Sequence, residues 1–336
     1  MKNLEMEAVK RVASLPYDWS RFNNKVLLIS GGTGFIGSFL IKVLRYRVDC
    51  FGNKIRVVSL SRRGGVSDDY LENLAADVCN PIGYTAPVDF ILHLASNTHP
   101  KQYAEDPIGT ILTNIDGCNN LLRLAVEKKA RFLLASSVEI YGQGTEKPMD
   151  EHYCGYIDCN QARAGYNEAK RTCEALTQSY RQRFGIDAVI VRLARVFGPD
   201  KKKDTKAMSQ FMDKAVLGDE IVMKSHGEQR YSYVYIADAV SALIKVLLDG
   251  IDGEAYNISD DDGKTLRGYA EYLASLSDQK VKFEIEDNSA VSKATFALMD
   301  TTKLKALGWI PLYTVCQGLK ETYIIKRQEN TDSTRR

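Results

Sequence analysis

The chain has 336 residues, with Lys+Arg 45 against Asp+Glu 43 and a net charge of +2 at neutral pH. That length holds one large domain or two modest ones, and the near-even charge excludes nucleic acid or a charged membrane surface as the main partner. No run is long and apolar enough to span a bilayer, and the N-terminal residues lack the apolar core of a signal peptide.

Seven cysteines without a CxxC pair fit reduced thiols in a cytoplasmic compartment. Four histidines without HExxH or HxH spacing imply no metal. Residues 1–24 precede the first strand, and Leu4, Val9, Val12, Ala13 and Leu15 predict a short packing helix ending near Pro16. Residues 25–190 read as a dinucleotide-binding domain. Val26–Ile29 is an apolar run of the kind that forms a buried parallel strand. Gly31, Gly34 and Gly37 follow, and a helical pattern then runs to about Arg47. Strand, glycine turn and helix in that order suit a dinucleotide. The first glycine permits the turn, the second lets backbone approach a pyrophosphate, and the third lets the helix pack on the strand. The helix N-terminus offers N–H groups and partial positive charge to the phosphates.

Further strands are predicted at Ile55–Leu60, Asp89–Ala95 and Arg131–Ser136, with a helix over 108–128. Such alternation predicts an α/β fold, a Rossmann-type doubly wound parallel sheet, with a smaller C-terminal α/β lobe over 191–328 interleaved with it. Ligands of these sheets bind beyond the carboxyl ends of the strands, so Ser61, Ala95 and Ser136 are expected to line the cofactor crevice. An acid after the second strand would select NAD. Here Ser61-Arg62-Arg63 stands instead and tilts toward NADP, with both cofactors open. Asp77 and Val78 are candidates to contact adenine.

Ser137 and Glu139 follow the strand at 131–136. Tyr166 and Lys170, four apart in a helical run to about Phe184, project from one helix face. A neighbouring ammonium and a positively charged nicotinamide both favour the phenolate, so Tyr166 is expected to act as general base near neutral pH. Ser137 would hold the same substrate oxygen, and Lys170 the nicotinamide ribose.

The glycine turn, His93-Leu94-Ala95-Ser96, Thr113-Asn114-Ile115-Asp116-Gly117, Ser137-Val138-Glu139-Ile140-Tyr141-Gly142 and Tyr166…Lys170 together resemble the extended short-chain dehydrogenase/reductase family. These are nucleotide-sugar epimerases, dehydratases and decarboxylases. The similarity runs from about residue 25 to 325 and is strongest to UDP-glucuronate decarboxylases. The resemblance implies Ser137, Glu139, Tyr166 and Lys170 as catalytic residues. It implies cofactor contacts from Thr33, Phe35 and Ile36 beside the three glycines, from Ser61, Arg62, Asp77 and Val78, and from Leu94, Ala95, Ser96, Asn114 and Ser136, with Tyr166 and Lys170. Thr98, Ser137, Glu139, Arg195, Arg230 and Tyr231 are the implied substrate contacts.

The chain departs from that family in three places. Arg195 stands where most members have Asn. Tyr231 stands at the usual diphosphate-binding Arg. Phe296, Ala297 and Leu298 offer no second Arg before Asp300. Arg195 is therefore expected to pair with a phosphate or carboxylate, with Arg230 assisting, while Lys201–Lys203 forms a solvated loop. The resemblance implies a transient 4-keto sugar, with UDP-glucuronate decarboxylation first and 4,6-dehydration or 4-epimerisation next. Val138, where some dehydratases carry an acid, weakens dehydration. A silent dinucleotide sensor is the remote alternative. A homodimer through the helices at 108–128 and 166–184 is also implied. Ala255–Ile258 is expected as a strand of the small lobe, and residues 329–336 as a frayed tail.

Overall fold

The computed structural model describes residues 3–96, 105–200, 206–285 and 295–334. Thr98 and Lys201–Lys203 lie outside the described residues. The N-terminal helix is Leu4–Ala13 (α1), capped by the Asn3 side chain, which accepts from Met6 N at 3.2 Å. Its buried Ala8, Val9, Val12 and Ala13 make the packing face the sequence predicted.

Strand–helix alternation follows with Lys25–Ser30 (β1), Phe35–Phe51 (α2), Ile55–Ser61 (β2), Leu71–Ala75 (β3), Phe90–His93 (β4), Pro107–Lys128 (α3), Arg131–Ser137 (β5), Ala164–Phe184 (α4) and Ala188–Leu193 (β6). β3, whose Leu-Glu-Asn-Leu-Ala sequence carries no alternating pattern, was not predicted; it pairs with β2 at the sheet edge. The expected strand over 89–95 stops at His93. Beyond it, Leu94 N and Ala95 N turn to the carbonyl and hydroxyl of Ser30 at 3.2 Å each.

The second half holds Arg195–Phe197 (β7), Ala207–Leu217 (α5), Ile221–Met223 (β8), Arg230–Tyr231 (β9), Tyr233–Tyr235 (β10), Ile236–Asp249 (α6), Ala255–Ile258 (β11), Leu266–Leu276 (α7), Val281–Phe283 (β12), Phe296–Ala297 (β13), Thr302–Ala306 (α8) and Val315–Thr334 (α9). The main sheet has the order β3-β2-β1-β4-β5-β6-β11, and its pairings are parallel. This is the doubly wound order with one added strand. That strand corrects the expectation for Ala255–Ile258. It belongs to the main sheet, with Ile258 opposite Leu193, and α6 before it is buried over nearly its whole length in the core that covers that sheet.

Both sheet faces are covered. Leu27, Ile29, Val57, Leu92, Leu133 and Val191 pack toward α1, α2 and α6, while Leu28, Val58, Ile91, Phe132, Leu134 and Ile190 pack toward α3 and α4. Alternating side chains thus feed two cores, which is why these strands read as continuous apolar runs. A third core, with Phe211, Met223, Tyr269, Leu273 and Leu319, lies among α5, α7, α9 and β8 in the small lobe. Three two-stranded pairs, β7–β10, β8–β12 and β9–β13, complete that side.

At the end of the chain, α9 continues through Asn330 to Thr334. Its start is anchored by Val315, Leu319 and Tyr323 in the small-lobe core and by Lys326 on Asp213 at 3.0 Å. A helix so anchored propagates at the cost of one residue's order per added hydrogen bond, and polar residues suit that.

The turn between β1 and α2 is closely packed on the sheet's carboxyl edge. Gly31 adopts φ +75°, and a methyl there would lie 2.9 Å from Ala95 N. A methyl on Gly37 would collide with the Gly31 carbonyl oxygen and sit 2.8 Å from Gly32 Cα. Both obstacles are backbone, so Gly37→Ala forces the turn to move. It should destabilise the protein by about 1–3 kcal/mol, measured by urea unfolding, and weaken dinucleotide binding at least tenfold. Unchanged stability and binding would show that the helix can slide off the turn freely.

Candidate active site

α4 is tied to the end of β5 by side chains of one helix face. Lys170 Nζ donates to Ala135 O at 2.9 Å, Asn167 Nδ2 to Glu139 O at 2.8 Å, and Arg171 Nε to Ile140 O at 2.7 Å. Arg171 Nη2 also reaches Gly155 O at 2.7 Å. Ser137 caps a 3-10 turn over Val138–Tyr141, accepting from Glu139 N at 3.3 Å. Tyr166, one turn before Lys170, is thereby set against Ser137. The sequence singled out Tyr166 and Lys170 but missed Asn167 and Arg171; the signal was their own spacing of four, offset by one from the first pair.

Tyr166 and Lys170 are both buried. Burial pushes the Tyr166 phenol up to about 12; hydrogen bonding with Ser137 opposes this, the Glu139 charge reinforces it, and Ser96 opposes it. Lys170 Nζ lies 6.0 Å from the centre of the Tyr166 ring, and burial lowers its own pKa. The expected lowering of the phenol by the ammonium is therefore outweighed in the protein itself, because desolvation disfavours both charged forms at once. His93 completes the floor. It is buried, its Nδ1 pairs with Ser30 Oγ at 2.8 Å, and burial drives its pKa down to about 3, so it is neutral. Its Nε2 has no partner among the described residues.

The crevice above the glycine turn fits a dinucleotide. No side chain caps α2 at Gly34, which leaves the helix start for a phosphate. Ser61 Oγ and Ser136 Oγ, at the carboxyl ends of β2 and β5, are buried without a hydrogen-bond partner among the described residues. Gly32, not singled out from sequence, is packed so closely on Ser59 that a methyl there would collide with its hydroxyl. Thr33 is exposed at the turn, and Phe35 and Ile36 are half-buried at the start of α2. Leu94, Ala95 and Ser96 leave β4 beside Gly31.

Other candidates stand less directly at the crevice. Asn114 is fully buried and is linked to the crevice through Ser96, whose hydroxyl donates to Asn114 Oδ1 at 2.7 Å. Asp77 accepts from Cys79 N at 3.0 Å, a bond that holds its carboxyl below the usual range with help from Arg62. Val78 is buried against α3, and Arg62 is exposed.

On the substrate side, the β5–β6 register places Ser137 opposite Leu193. The next residues of each strand therefore diverge together, and Arg195 comes to Glu139, with Nη2 3.7 Å from Oε1. Tyr231 lies under the Arg195 guanidinium, 3.9 Å from carbon to ring centre, and bonds Thr295 Oγ1 at 2.6 Å. Arg230 does not join them. Neighbours in a strand point to opposite faces, and its Nε donates to Gly263 O at 2.7 Å. The expectation that Arg230 assists Arg195 is corrected on that ground.

Fold, glycine turn and crevice define a dinucleotide-binding protein of the doubly wound class. Residues 27–259 match the model of the NAD dependent epimerase/dehydratase family. The chain belongs to this family of NAD-dependent enzymes. It is 31% identical to UDP-glucuronic acid decarboxylase 5 of Arabidopsis thaliana, over 88% of this chain and 88% of that protein. To UDP-glucuronic acid decarboxylase 1 of Xenopus tropicalis it is 29% identical, over 98% of this chain and 78% of the relative. Its fold is shared by the UDP-glucose 4-epimerase of Thermotoga maritima, with TM-score 0.76, 22% identity and coverage of 91% of this chain and 99% of that one. The dTDP-glucose 4,6-dehydratase of Streptomyces venezuelae shares it with TM-score 0.75 at 22% identity, covering 92% and 98%.

Tyr166 should stay protonated through pH 10 in protein stripped of dinucleotide, because its pKa lies near 12. Wild type and Tyr166→Phe should then show the same rise in phenolate absorbance between pH 7 and pH 10. One extra tyrosinate in the wild type over that interval would mean that Lys170 overcomes burial after all.

Proposed function

We propose that the protein modifies a nucleotide sugar by transient oxidation at C4, and that its reaction is the decarboxylation of UDP-glucuronate. The observation that carries this is Glu139 held beside Ser137 and Tyr166 by Asn167, which donates to its carbonyl at 2.8 Å and reaches its carboxylate at 3.4 Å. The decarboxylase relatives, similar over most of the chain, support the same choice.

The dinucleotide, held by the Gly31–Gly37 turn, Ser61, Ser136 and Lys170, supplies the hydride acceptor when bound. The chain's own groups do the rest. The Ser137 and Tyr166 hydroxyls converge on the C4 oxygen of the sugar, and Tyr166 takes its proton. Lys170, fixed on Ala135 O, keeps positive charge beneath the tyrosine. A ketone at C4 turns a C6 uronate into a β-keto acid, which releases carbon dioxide, and Glu139 manages the proton at C5. Val138, beside Glu139, is buried in the core and offers no acid to a leaving hydroxyl, which disfavours dehydration.

NAD is the cofactor of this reading, as in neighbouring structures whose names include it. Arg62, with no acid following β2, favours NADP as a second reading. The described cysteines are free, and no helix among the described residues is long and apolar enough to cross a membrane. Both facts support a cytoplasmic enzyme. Ile108 and Leu112, 70% and 51% exposed on α3, support a homodimer built on α3 and α4, and light scattering should give twice the mass of the 336-residue chain.

Incubated with UDP-glucuronate, the enzyme should release carbon dioxide and yield a UDP-pentose or its 4-ketone, followed by proton NMR. Glu139→Gln should lower kcat by about 100-fold while dinucleotide binding stays within twofold. Turnover of UDP-glucose or dTDP-glucose with UDP-glucuronate untouched would overturn decarboxylation.

A further inference from the structure

Arg195 is a cation with one arm left over. Its guanidinium is pinned on two sides, by Glu139 through Nη2 and by the Tyr231 ring beneath. Its Nη1 is buried and has no hydrogen-bond partner among the described residues. An unpaired buried donor on a charged group is costly, and the cost is removed when an acceptor of opposite charge arrives.

Position decides which acceptor. Glu139 also acts electrostatically on Tyr166, so the Glu139–Arg195 pair lies at the reacting end of the ligand. We propose that Arg195 is the receptor for a carboxylate on the sugar ring, not for the diphosphate, and that it makes the site selective for nucleotide uronates over neutral nucleotide hexoses. This deepens the decarboxylase reading and rests on it for the kind of nucleotide sugar.

The geometry also answers an electrostatic objection. A uronate brought next to Glu139 sets two carboxylates side by side, and they repel. The planar fork of Arg195 offers one nitrogen to each, so the cation stands between two anions. Tyr231 fixes the plane of the fork and adds the attraction of its ring face to the cation. A neutral sugar would leave Nη1 facing a hydroxyl or nothing. Lysine at this place would present one point charge, without the second arm or the flat stacking face.

The test compares wild type with Arg195→Gln by titration calorimetry on dinucleotide-loaded enzyme, using UDP-glucuronate, UDP-glucose and UDP. Wild type should bind UDP-glucuronate more tightly than UDP-glucose. Arg195→Gln should lose at least tenfold for UDP-glucuronate and less than twofold for UDP-glucose and UDP. An equal loss for all three ligands would assign Arg195 to the diphosphate and overturn the proposal, as would no loss at all. Arg195→Lys, which keeps a positive charge at this place, serves if the glutamine variant does not fold; it should weaken UDP-glucuronate binding selectively, and an unselective or absent effect overturns the proposal again. Carbon dioxide release is scored separately. Wild type that binds UDP-glucuronate selectively but releases no carbon dioxide sinks the decarboxylase reading and leaves carboxylate recognition standing. Release of carbon dioxide with unchanged selectivity in Arg195→Gln does the reverse.

Discussion

The site depends on the seating of α4 against the end of β5. Asn167, Lys170 and Arg171 spend their donors on the carbonyls of Glu139, Ala135 and Ile140. The Glu139 and Ile140 carbonyls lie in the 3-10 turn beyond β5 and that of Ala135 lies two residues inside its end, and buried carbonyls need donors. The helix supplies them, and in doing so it fixes Tyr166 against Ser137 and Glu139 against Asn167. The bonds that satisfy these carbonyls are the ones that bring Tyr166, Ser137 and Glu139 together.

Burial is the second constraint, and it works against charge. Tyr166, Lys170 and His93 are all shielded from water, and each is displaced toward its neutral form. A site at rest in this condition holds its proton on Tyr166. Positive charge arriving with an oxidised cofactor would shift that balance toward the phenolate. The chain therefore supplies geometry and a low-dielectric setting, with part of the driving field left to what binds.

Glu139 and Arg195 show how the two lobes share the site. Glu139 belongs to the main sheet's carboxyl edge, while Arg195 opens β7, which pairs with β10 in the small lobe. The ion pair thus spans the seam between them, and Phe35 at the start of α2 lies close to Gly198 just beyond β7. The main sheet's carboxyl edge and the small lobe meet through these contacts.

The sequence by itself determined the doubly wound sheet, the glycine turn and the pairing of Tyr166 with Lys170. Those features are local: apolar runs of strand length, glycines at fixed spacing, and residues four apart on one helix. It also marked Arg195 and Tyr231 as departures from the family pattern. Only the tertiary structure decided that Ala255–Ile258 closes the main sheet, that Arg195 meets Glu139, and that Arg230 turns away to Gly263. Asn167 and Arg171 were likewise invisible as staples, because the carbonyls they bind lie 28 and 31 residues away in the chain. Strand register and the choice of face are set by what packs across the sheet, and desolvation is set by the whole surrounding fold. Neither is written in any short stretch of chain, which is why the glycine turn was legible and the pairing of charges beside Tyr166 was not.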